Sequence, residues 1–347
     1  MKALLYHSFN EIPSIEQVAD PKPEPNGVVL EVKSSGLCLS DWHAWKGHDH
    51  DISLPHVPGH ELSGVIVARG KNVSSFKIGD RVTLPFVCGC GNCVYCKEGS
   101  PQVCDFQFQP GFTHWGSFAQ YVAINYAEMN LVKLPDKIDY HTAAILGCRF
   151  ATSFRAVMDQ GRIQPGQWIA VFGCGGVGLS AIMIARALDA RVIAIDRNPA
   201  KLKFAADIGA EHCLVASNDQ MVAEIKSLTG HGVHLTLDAV GKPEIITQAL
   251  ATLRKGGCHL QVGLLPPEQH LVPIPFATLI ANEFRIAGSH GMQAARYSEM
   301  IHLILEGRLN PSKIISKKIP LSLAAESLTT LDNNPDPGIT VIHDFDN

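Results

Sequence analysis

The cysteines of this chain are concentrated in one short segment. Five of the ten cysteines among its 347 residues fall within the seventeen positions from Cys88 to Cys104. Four of these follow a regular spacing, Cys90-x2-Cys93-x2-Cys96-x7-Cys104. Four thiolates in one loop suffice for a closed, tetrahedral zinc site with no position left for substrate. The spacing therefore predicts a structural Zn²⁺, with disulfides or free thiols as the alternative, and leaves Cys88 outside the pattern as a spare thiol.

Three further residues of metal-ligating type are dispersed along the chain. Cys38 lies in GLCLSDWH, His60 in PGHE and Cys148 in LGCRF, each close to a glycine, as residues in tight turns often are. A lone cysteine or histidine is more often packed in a core than bound to a metal. Residue type and spacing alone therefore leave both interpretations open.

A glycine-rich segment indicates a dinucleotide site. The sequence GCGGVG from Gly173 to Gly178 fits G-x-G-x-x-G, follows an apolar run and opens a helical segment. The next apolar run ends in Asp196, 18 residues after Gly178. Glycines at these positions allow a tight turn and close approach to a diphosphate, and a carboxylate after the second strand accepts hydrogen bonds from ribose hydroxyls. In this context a merely structural strand–turn–helix is the weaker alternative.

Two kinds of secondary structure must position these groups. In the first part of the chain, short apolar runs bounded by Gly, Pro and Asp predict strands: MKALLYH, GVVLEVKSS, SGVIVARG and GDRVTLP. From about residue 165, six apolar runs separated mostly by helical segments predict an open parallel sheet: QWIAVFG, RVIAID, EHCLVA, HLTLDAV, CHLQVG and FRIAGS. A helix near Gln293–Glu306 and the runs KKIPLS and GITVIHD are expected to return to the first domain. We predict an α/β protein divided into residues 1–149, 150–288 and 289–347.

Composition excludes several classes of function. Hydrophobic residues make up 46% and charged residues 18% of the chain, which is typical of a globular protein with an ample core. The net charge of −4 argues against partners such as nucleic acids or anionic membranes. The N-terminus carries only a four-residue apolar run, and no stretch approaches the length of a membrane span. We therefore expect a soluble, cytoplasmic protein.

Taken in order, the motifs resemble a known family. The segments are GLCLSDWH, PGHE, the four-cysteine loop, GFTHWGSFAQY, LGC and GCGGVG. Their order and spacing are similar to those of the zinc-containing alcohol dehydrogenases of the medium-chain dehydrogenase/reductase superfamily. The resemblance covers essentially the whole chain and is closest to the short, tetrameric microbial and yeast type. It implies a GroES-like, β-rich catalytic domain and a Rossmann coenzyme domain with a doubly wound parallel sheet.

The resemblance assigns metal-site roles to particular residues. It implies that Cys38, His60 and Cys148 bind a catalytic zinc and leave its fourth position to water or substrate. Asp41 and Glu61 fall where relatives keep carboxylates that orient the ligating histidine. With the four-cysteine loop, this makes two zinc ions per chain.

The implied reaction is the reversible oxidation of an alcohol to an aldehyde or ketone. Zinc lowers the pKa of the substrate hydroxyl, and the substrate carbon transfers hydride to NAD. Ser40 and His43 match the positions that carry the released proton to solvent. Without the resemblance, His43 is more simply interpreted as a surface residue, one of sixteen histidines.

The coenzyme is expected to be NAD rather than NADP. Asp196 would face the 2′-phosphate of NADP with a like charge, although the adjacent Arg197 can soften that repulsion. Lys201 matches a basic residue that contacts the ribose in relatives. The other coenzyme-binding residues implied by the resemblance are Gly173, Gly175, Gly176, Val177, Gly178, Val262 and Gly263.

Two positions depart from the family pattern. Leu39 stands where relatives carry Arg or His near the diphosphate, and Ile339 stands where many carry an Arg that also contacts phosphate. Both departures remove positive charge beside an anion. Either the affinity for coenzyme is lower, or another group such as Arg149 compensates, and the sequence leaves both open.

Two rival functions differ from the alcohol dehydrogenase interpretation. Polyol dehydrogenases of the same superfamily commonly have Glu as the third zinc ligand, whereas this chain has Cys148. A zinc-binding interaction module is the non-enzyme alternative, and the dinucleotide motif argues against it. The identity of the substrate is not predicted; the resemblance indicates only that Phe86, Trp115 and His290 lie at the pocket or the rim of the cleft.

The resemblance also predicts a homotetramer. In the short form of the family, coenzyme domains commonly join edge to edge. The apolar stretch LVPIPFATLIANEFRIAG, residues 271–288, would supply such an edge, and a connection buried within one chain is the alternative.

Overall fold

Fifteen strands run through the part of the chain that the computed structural model describes, which comprises residues 1–216, 219–265, 267–269, 271–333 and 336–346. The first seven are β1 Lys2–Leu5, β2 Ser14–Gln17, β3 Val28–Leu37, β4 Glu61–Arg69, β5 Arg81–Thr83, β6 Tyr121–Ile124 and β7 Val132–Lys133. The next six are β8 Trp168–Phe172, β9 Arg191–Asp196, β10 His212–Val215, β11 Val233–Asp238, β12 Leu253–Gln261 and β13 Arg285–Gly288. The last two are β14 Ile315–Pro320 and β15 Ile339–Asp344.

Twelve α-helices are formed by the same described residues. The first six are α1 Leu39–Trp45, α2 Val94–Lys97, α3 Ala127–Asn130, α4 Tyr140–Ile145, α5 Ala151–Arg155 and α6 Gly176–Ala187. The others are α7 Pro199–Asp207, α8 Asp219–Thr229, α9 Pro243–Thr252, α10 Phe276–Asn282, α11 Tyr297–Leu305 and α12 Ala324–Thr329. A π-helical segment, Leu146–Phe150, joins α4 to α5, and a second one, Ala156–Gln160, extends this continuous helical run beyond α5.

The first large sheet brings distant parts of the chain together. Its strands lie in the order β14-β15-β3-β4-β5-β7, and β6 also pairs with β3. Because β3 and β4 are antiparallel, with Gly36 opposite Glu61, the residue after β3 and the residue before β4 lie side by side. At the other side of β3, Val341 of β15 lies opposite Gly36. The C-terminal strands therefore belong to the sheet of the N-terminal part.

The second large sheet is parallel throughout. Its order is β10-β9-β8-β11-β12-β13, and each adjacent pair is parallel. These are the six strands predicted from the apolar runs. The chain continues from β8 towards one edge of the sheet and from β11 towards the other. The carboxyl ends of the strands at such a reversal form a crevice for ligands.

The helical run from α4 to α5 is packed in the core that joins the two parts of the molecule. Phe150, Phe154 and Tyr297 are fully buried in this core. The hydroxyl of Tyr297 donates a hydrogen bond of 3.0 Å to the carbonyl of Leu146, where the first π-helical segment begins. This bond fixes the segment that presents Cys148. None of the described residues forms a helix long and apolar enough to cross a membrane.

Candidate metal centres and coenzyme cleft

The three dispersed metal-ligand candidates come together at one point. Cys38 lies between β3 and α1, His60 immediately precedes β4, and Cys148 lies in the first π-helical segment. Their ligating atoms all lie within 4.8 Å of one another. Adjacent strands place the first two, and a local break in α-helical geometry, a frequent feature of functional sites, presents the third.

A buried carboxylate holds this cluster in place. Asp41 is fully buried, and its Oδ2 accepts a hydrogen bond of 2.9 Å from the backbone N–H of Cys38. Its Oδ1 lies 2.8 Å from Nδ1 of His60, which donates to the carboxylate. The other ring nitrogen of His60, Nε2, is buried and has no hydrogen-bond partner among the described residues. A histidine oriented in this way presents a free lone pair to a metal, so the residues fit zinc.

The two thiols of the cluster differ in acidity. A hydrogen bond from Cys148, with the charge of Arg149 contributing, holds the pKa of Cys38 well below its usual range. The same hydrogen bond, together with burial, raises the pKa of Cys148 well above the usual value. Cys38 is therefore the more acidic thiol of the pair, and a cation placed between the sulfurs would stabilise both thiolates.

Glu61 is bound to an arginine. Its Oε1 accepts hydrogen bonds from the backbone N–H of Arg149 at 2.8 Å and from Nε at 2.9 Å, and its Oε2 pairs with Nη2. Both side chains are buried. Burial raises the pKa of Glu61, and the charge of Arg149 opposes that shift. The carboxylate that bonds His60 is thus Asp41, whereas the hydrogen bonds of Glu61 go to Arg149.

The two residues of the implied proton relay lie on α1. Sγ of Cys38 is 3.7 Å from Oγ of Ser40, so the hydroxyl borders the metal-ligand cluster. His43 follows three residues later on the same face of the helix, and its Nδ1 lies 2.9 Å from Nδ1 of His48. Burial, with the nearby His48, lowers the pKa of His43. His43 is therefore neutral near pH 7 and able to accept a proton.

The four-cysteine loop forms a second donor cluster. The sulfurs of Cys90, Cys93, Cys96 and Cys104 all lie within 4.8 Å of one another. The Cys93 and Cys104 sulfurs are 3.6 Å apart, close to the ~3.8 Å edge of a tetrahedron with Zn–S bonds of about 2.3 Å. The Cys104 sulfur also accepts backbone N–H groups of Cys90 and Phe106. These donors fit a closed zinc site, while the Cys88 thiol is fully buried and donates to a backbone carbonyl instead.

A cleft of about 460 Å³ opens at the carboxyl ends of β8, β9 and β11. The predicted residues that line it are Gly173, Gly175, Asp196, Arg197 and Lys201, and Leu39 lines it from the first part of the chain. A Cβ on Gly178 would lie 1.7 Å from the carbonyl oxygen of Gly173, so only glycine fits there. A Cβ on Gly175 would meet no protein atom within 4 Å, which leaves open space for a diphosphate.

The remaining predicted coenzyme residues lie at the same edge of the sheets. Gly176 and Val177 begin α6. Val262 and Gly263 follow β12, and both backbone N–H groups donate to the carbonyl of Asp238. These four residues are not part of the lining of the 460 Å³ cleft.

Asp196 has two structural partners at the end of β9. Its Oδ2 accepts a hydrogen bond of 2.7 Å from the backbone N–H of Cys174, inside the glycine-rich turn. Its Oδ1 accepts one of 2.8 Å from the backbone N–H of Asn198. The carboxylate therefore supports the turn as well as lining the cleft.

Aromatic rings flank His60. The ring of His60 lies 4.9 Å from that of Phe112 and 6.0 Å from that of Phe86. The ring of His290 lies 5.3 Å from that of Phe86. Trp115 donates its indole N–H to the carbonyl of Pro55. Of the three predicted pocket residues, Phe86 thus lies beside His60 and His290 packs against Phe86, while the indole of Trp115 is bonded to Pro55.

Sequence reasoning missed several groups at the site. Asp238 is fully buried at the end of β11, and it accepts a hydrogen bond of 2.7 Å from Val240, which lines the cleft. The pairings of Glu61 with Arg149 and of His43 with His48 were also not foreseen. An aspartate at the end of an apolar run could have indicated Asp238, whereas no local pattern indicates the two pairings.

Comparison with known proteins agrees with this arrangement. The family model described as alcohol dehydrogenase GroES-like domain matches residues 24–136, and that of zinc-binding dehydrogenase matches residues 176–306. An alcohol dehydrogenase of Geobacillus stearothermophilus is 33% identical over 314 residues, 89% of this chain and 90% of that protein. A sorbitol dehydrogenase of Bacillus subtilis is 31% identical over 334 residues, 94% of this chain and 92% of that protein. A crystal structure of an NAD-dependent alcohol dehydrogenase is similar with a TM-score of 0.89 at 27% identity, covering 99% of each chain.

Fold, donor clusters and relatives together define a metal-dependent oxidoreductase with a GroES-like and a Rossmann-type part. The chain belongs to the zinc-containing alcohol dehydrogenases of the medium-chain dehydrogenase/reductase superfamily. The predicted family, fold class and enzyme class, with zinc as a cofactor, are confirmed.

Proposed function

We propose that this protein catalyses the reversible oxidation of a primary or secondary alcohol to an aldehyde or ketone, with NAD as hydride acceptor. One observation carries the proposal: Cys38 belongs to the buried donor cluster, and the next residue, Leu39, lines the coenzyme cleft. A substrate held by a metal at this cluster would therefore lie beside a dinucleotide bound in the cleft. Three protein donors leave a coordination position for that substrate, as catalytic zinc requires.

The donor cluster would hold the catalytic zinc through Cys38, His60 and Cys148. The metal supplies Lewis acidity at the substrate hydroxyl, and NAD accepts the hydride. Asp41 fixes the tautomer of His60 by accepting its Nδ1 proton, so that Nε2 is directed at the metal. The rings of Phe86 and Phe112 border this point and keep water away from the reacting carbon.

Proton release falls to residues of α1. Ser40, beside Cys38, accepts the proton from the substrate hydroxyl and passes it on. His43 receives it as a neutral imidazole and delivers it towards the surface, where His48 is exposed. A histidine suits this step because its pKa lies near neutrality.

The four-cysteine cluster would hold a second, structural zinc. Its four sulfurs complete a tetrahedron by themselves, so the site has no position for substrate. We further propose a cytoplasmic homotetramer, with the division into residues 1–149, 150–288 and 289–347 as its domain plan.

A polyol substrate is the second candidate. The relative of Bacillus subtilis that matches 94% of this chain is a sorbitol dehydrogenase, which favours that alternative. Polyol dehydrogenases commonly have Glu as the third zinc ligand, whereas the third donor here is Cys148. The donor set therefore favours simple alcohols.

The test is NADH formation by the purified, zinc-containing protein across a panel of substrates. The panel contains primary, secondary and aromatic alcohols and the polyols sorbitol and butane-2,3-diol. We expect the highest kcat/KM among the simple alcohols. Higher values for polyols would move the assignment to the second candidate. A zinc-containing protein that oxidises no member of the panel and binds no NADH would contradict both.

A further inference from the structure

Arg149 connects the catalytic donor cluster to the glycine-rich turn. It follows Cys148 in the chain and is only 7% exposed. On one side its guanidinium is bound by Glu61. On the other side it packs against Gly176: a Cβ placed there would lie 2.5 Å from Cδ of Arg149 and 3.2 Å from both Nε and Nη1. Because Gly176 is the first residue of α6, a cation lies at the helix N-terminus where dinucleotide folds bind diphosphate.

One nitrogen of this guanidinium, Nη1, has N–H donors that no described residue accepts. Nε and Nη2 donate to the two oxygens of Glu61. Nη1 makes no hydrogen bond to any residue that the structure describes. A guanidinium carries five N–H donors in a fixed plane, so an arginine clamped by a carboxylate on one edge still presents donors on another. Such an edge is suited to a phosphate oxygen.

Leu39 and Ile339, the two positions that the family resemblance singled out, supply no positive charge in this chain. Leu39 lines the cleft with a side chain that is 47% exposed. Ile339 is 1% exposed, in β15, and contributes to the core. The cations that line the 460 Å³ cleft itself are Arg197, Lys201 and Lys242, whereas Arg149 lies behind the glycine-rich turn and is not part of that lining. Arg149 differs from them because the three heavy atoms nearest to a Cβ on Gly176 all belong to it.

We propose that Arg149 is the cation of the coenzyme diphosphate subsite, with Nη1 donating to a diphosphate oxygen and Glu61 acting as the positioning residue. This inference rests on the proposed use of NAD. Glu61 fixes the orientation of the guanidinium and also neutralises its charge. Removing either member of the pair breaks the same ion pair but changes the net charge at α6 in opposite directions.

That opposition provides the test. NADH binding is measured by fluorescence and calorimetry for the parent, Arg149→Gln and Glu61→Gln, each with its zinc content and circular dichroism recorded. In Arg149→Gln, the loss of a charged hydrogen bond should weaken the binding of NADH and of ADP-ribose about ten- to a hundredfold. Glu61→Gln should bind both at least as tightly as the parent. Binding should depend less steeply on salt in Arg149→Gln, and adenosine, which lacks the diphosphate, should bind equally to all three.

Several results would overturn the inference. A purely structural ion pair predicts that both variants weaken NADH binding together. Arg186→Gln is the matched control, because it removes the same charge from the C-terminal turn of α6. An equal loss of NADH affinity in that variant would show that the effect does not depend on where the charge lies. If Arg149→Gln does not fold, the double variant Arg149→Gln/Glu61→Gln avoids an unpaired buried carboxylate. NADH affinity within twofold of the parent in that variant would refute the role of Arg149, whereas a parent that binds no NADH would refute the proposed function itself.

Discussion

His43 is the residue whose replacement separates proton transfer from metal binding. It is half-buried, it does not belong to either donor cluster, and its pKa is lowered by burial and by His48. A neutral imidazole at pH 7 is available as a base. Because its pKa is lowered, the imidazole also remains neutral and able to accept a proton at pH values below the usual titration range of histidine.

We expect His43→Gln to lower kcat roughly tenfold near pH 7, less than the hundredfold or more that a direct general base contributes, because the step is relayed. The deficit should shrink at high pH, where hydroxide accepts the proton directly. The measurement is a pH–rate profile with metal analysis, and the zinc content should be unchanged. His50→Gln, on the same segment, is the control, and a His43→Gln profile that matches the parent would show that no relay passes through this residue.

Asp196 is the residue that we propose determines the choice between NAD and NADP. Its carboxylate lines the cleft at the end of β9, where dinucleotide folds place the adenosine ribose, so a 2′-phosphate bound there would meet a like charge. We expect kcat/KM to favour NAD by at least tens-fold, and each factor of ten is equivalent to ~1.4 kcal/mol. Asp196→Ser should reduce this ratio chiefly by improving the use of NADP.

The same carboxylate accepts the N–H of Cys174, so Asp196→Ser should also lose some affinity for NAD. Asp207→Ser is the matched control, because Asp207 is exposed at the end of α7 and outside the cleft. Equal efficiencies with NAD and NADP in the parent would instead assign NADP to the cleft, with Arg197 as its phosphate anchor.

At the scale of elements, the four-cysteine loop is the part that depends most on metal. Its backbone N–H groups point at sulfurs, and a hydrogen bond from Cys96 lowers the pKa of Cys93 to about 6. We expect near two zinc ions per parent chain and near one in Cys93→Ser, which should also unfold at a lower temperature. Metal analysis with thermal unfolding measures both.

Cys88→Ser provides the comparison for that loop, since Cys88 is a neighbouring buried thiol outside the cluster. It should retain both zinc ions. A Cys93→Ser protein that keeps two zinc ions, or a fully active parent with one or none, would contradict the two-site assignment.

Local spacing explains which parts of the site were visible in the sequence. The glycine-rich turn and the four-cysteine loop each lie within one short segment, so their patterns can be recognised in the sequence. Cys38, His60 and Cys148 are separated by up to 110 positions, and only the family resemblance grouped them. Arg149 pairs with Glu61 across 88 positions, and nothing in composition indicates that the segment bearing it becomes π-helical. Such contacts depend on strand register and packing, which the sequence encodes only through the whole fold.

At the scale of the molecule, the edge of the parallel sheet is exposed and apolar. β13 is the terminal strand in the order of that sheet. In the segment that precedes it along the chain, Leu271 is 82% exposed, Phe276 66% and Ile280 72%. An exposed edge strand with apolar neighbours is a site for pairing with another copy.

We therefore expect the parent to sediment as an oligomer and Phe276→Glu/Ile280→Lys to sediment as a smaller species. Burying introduced charges at an apolar interface is unfavourable, which is the reason for the expected shift. Ile12→Lys is the control, because Ile12 is 75% exposed but distant in sequence from this edge. An active parent that sediments as a monomer would refute the tetramer.

The position of β15 between β14 and β3 has a consequence for biosynthesis. Residues 168–288 complete the parallel sheet without help from the rest of the chain, so it can form while synthesis continues. The other sheet stays unpaired at the carboxyl end of β3, from Ser35 to Leu37, until Ile339–Asp344 have left the ribosome. Cys38 directly follows β3, so the sheet beside it is completed only when the last strand has been synthesised. The four-cysteine loop, in contrast, is complete once Cys104 has been synthesised. The order of translation therefore favours metal loading of the structural loop before that of the catalytic cluster.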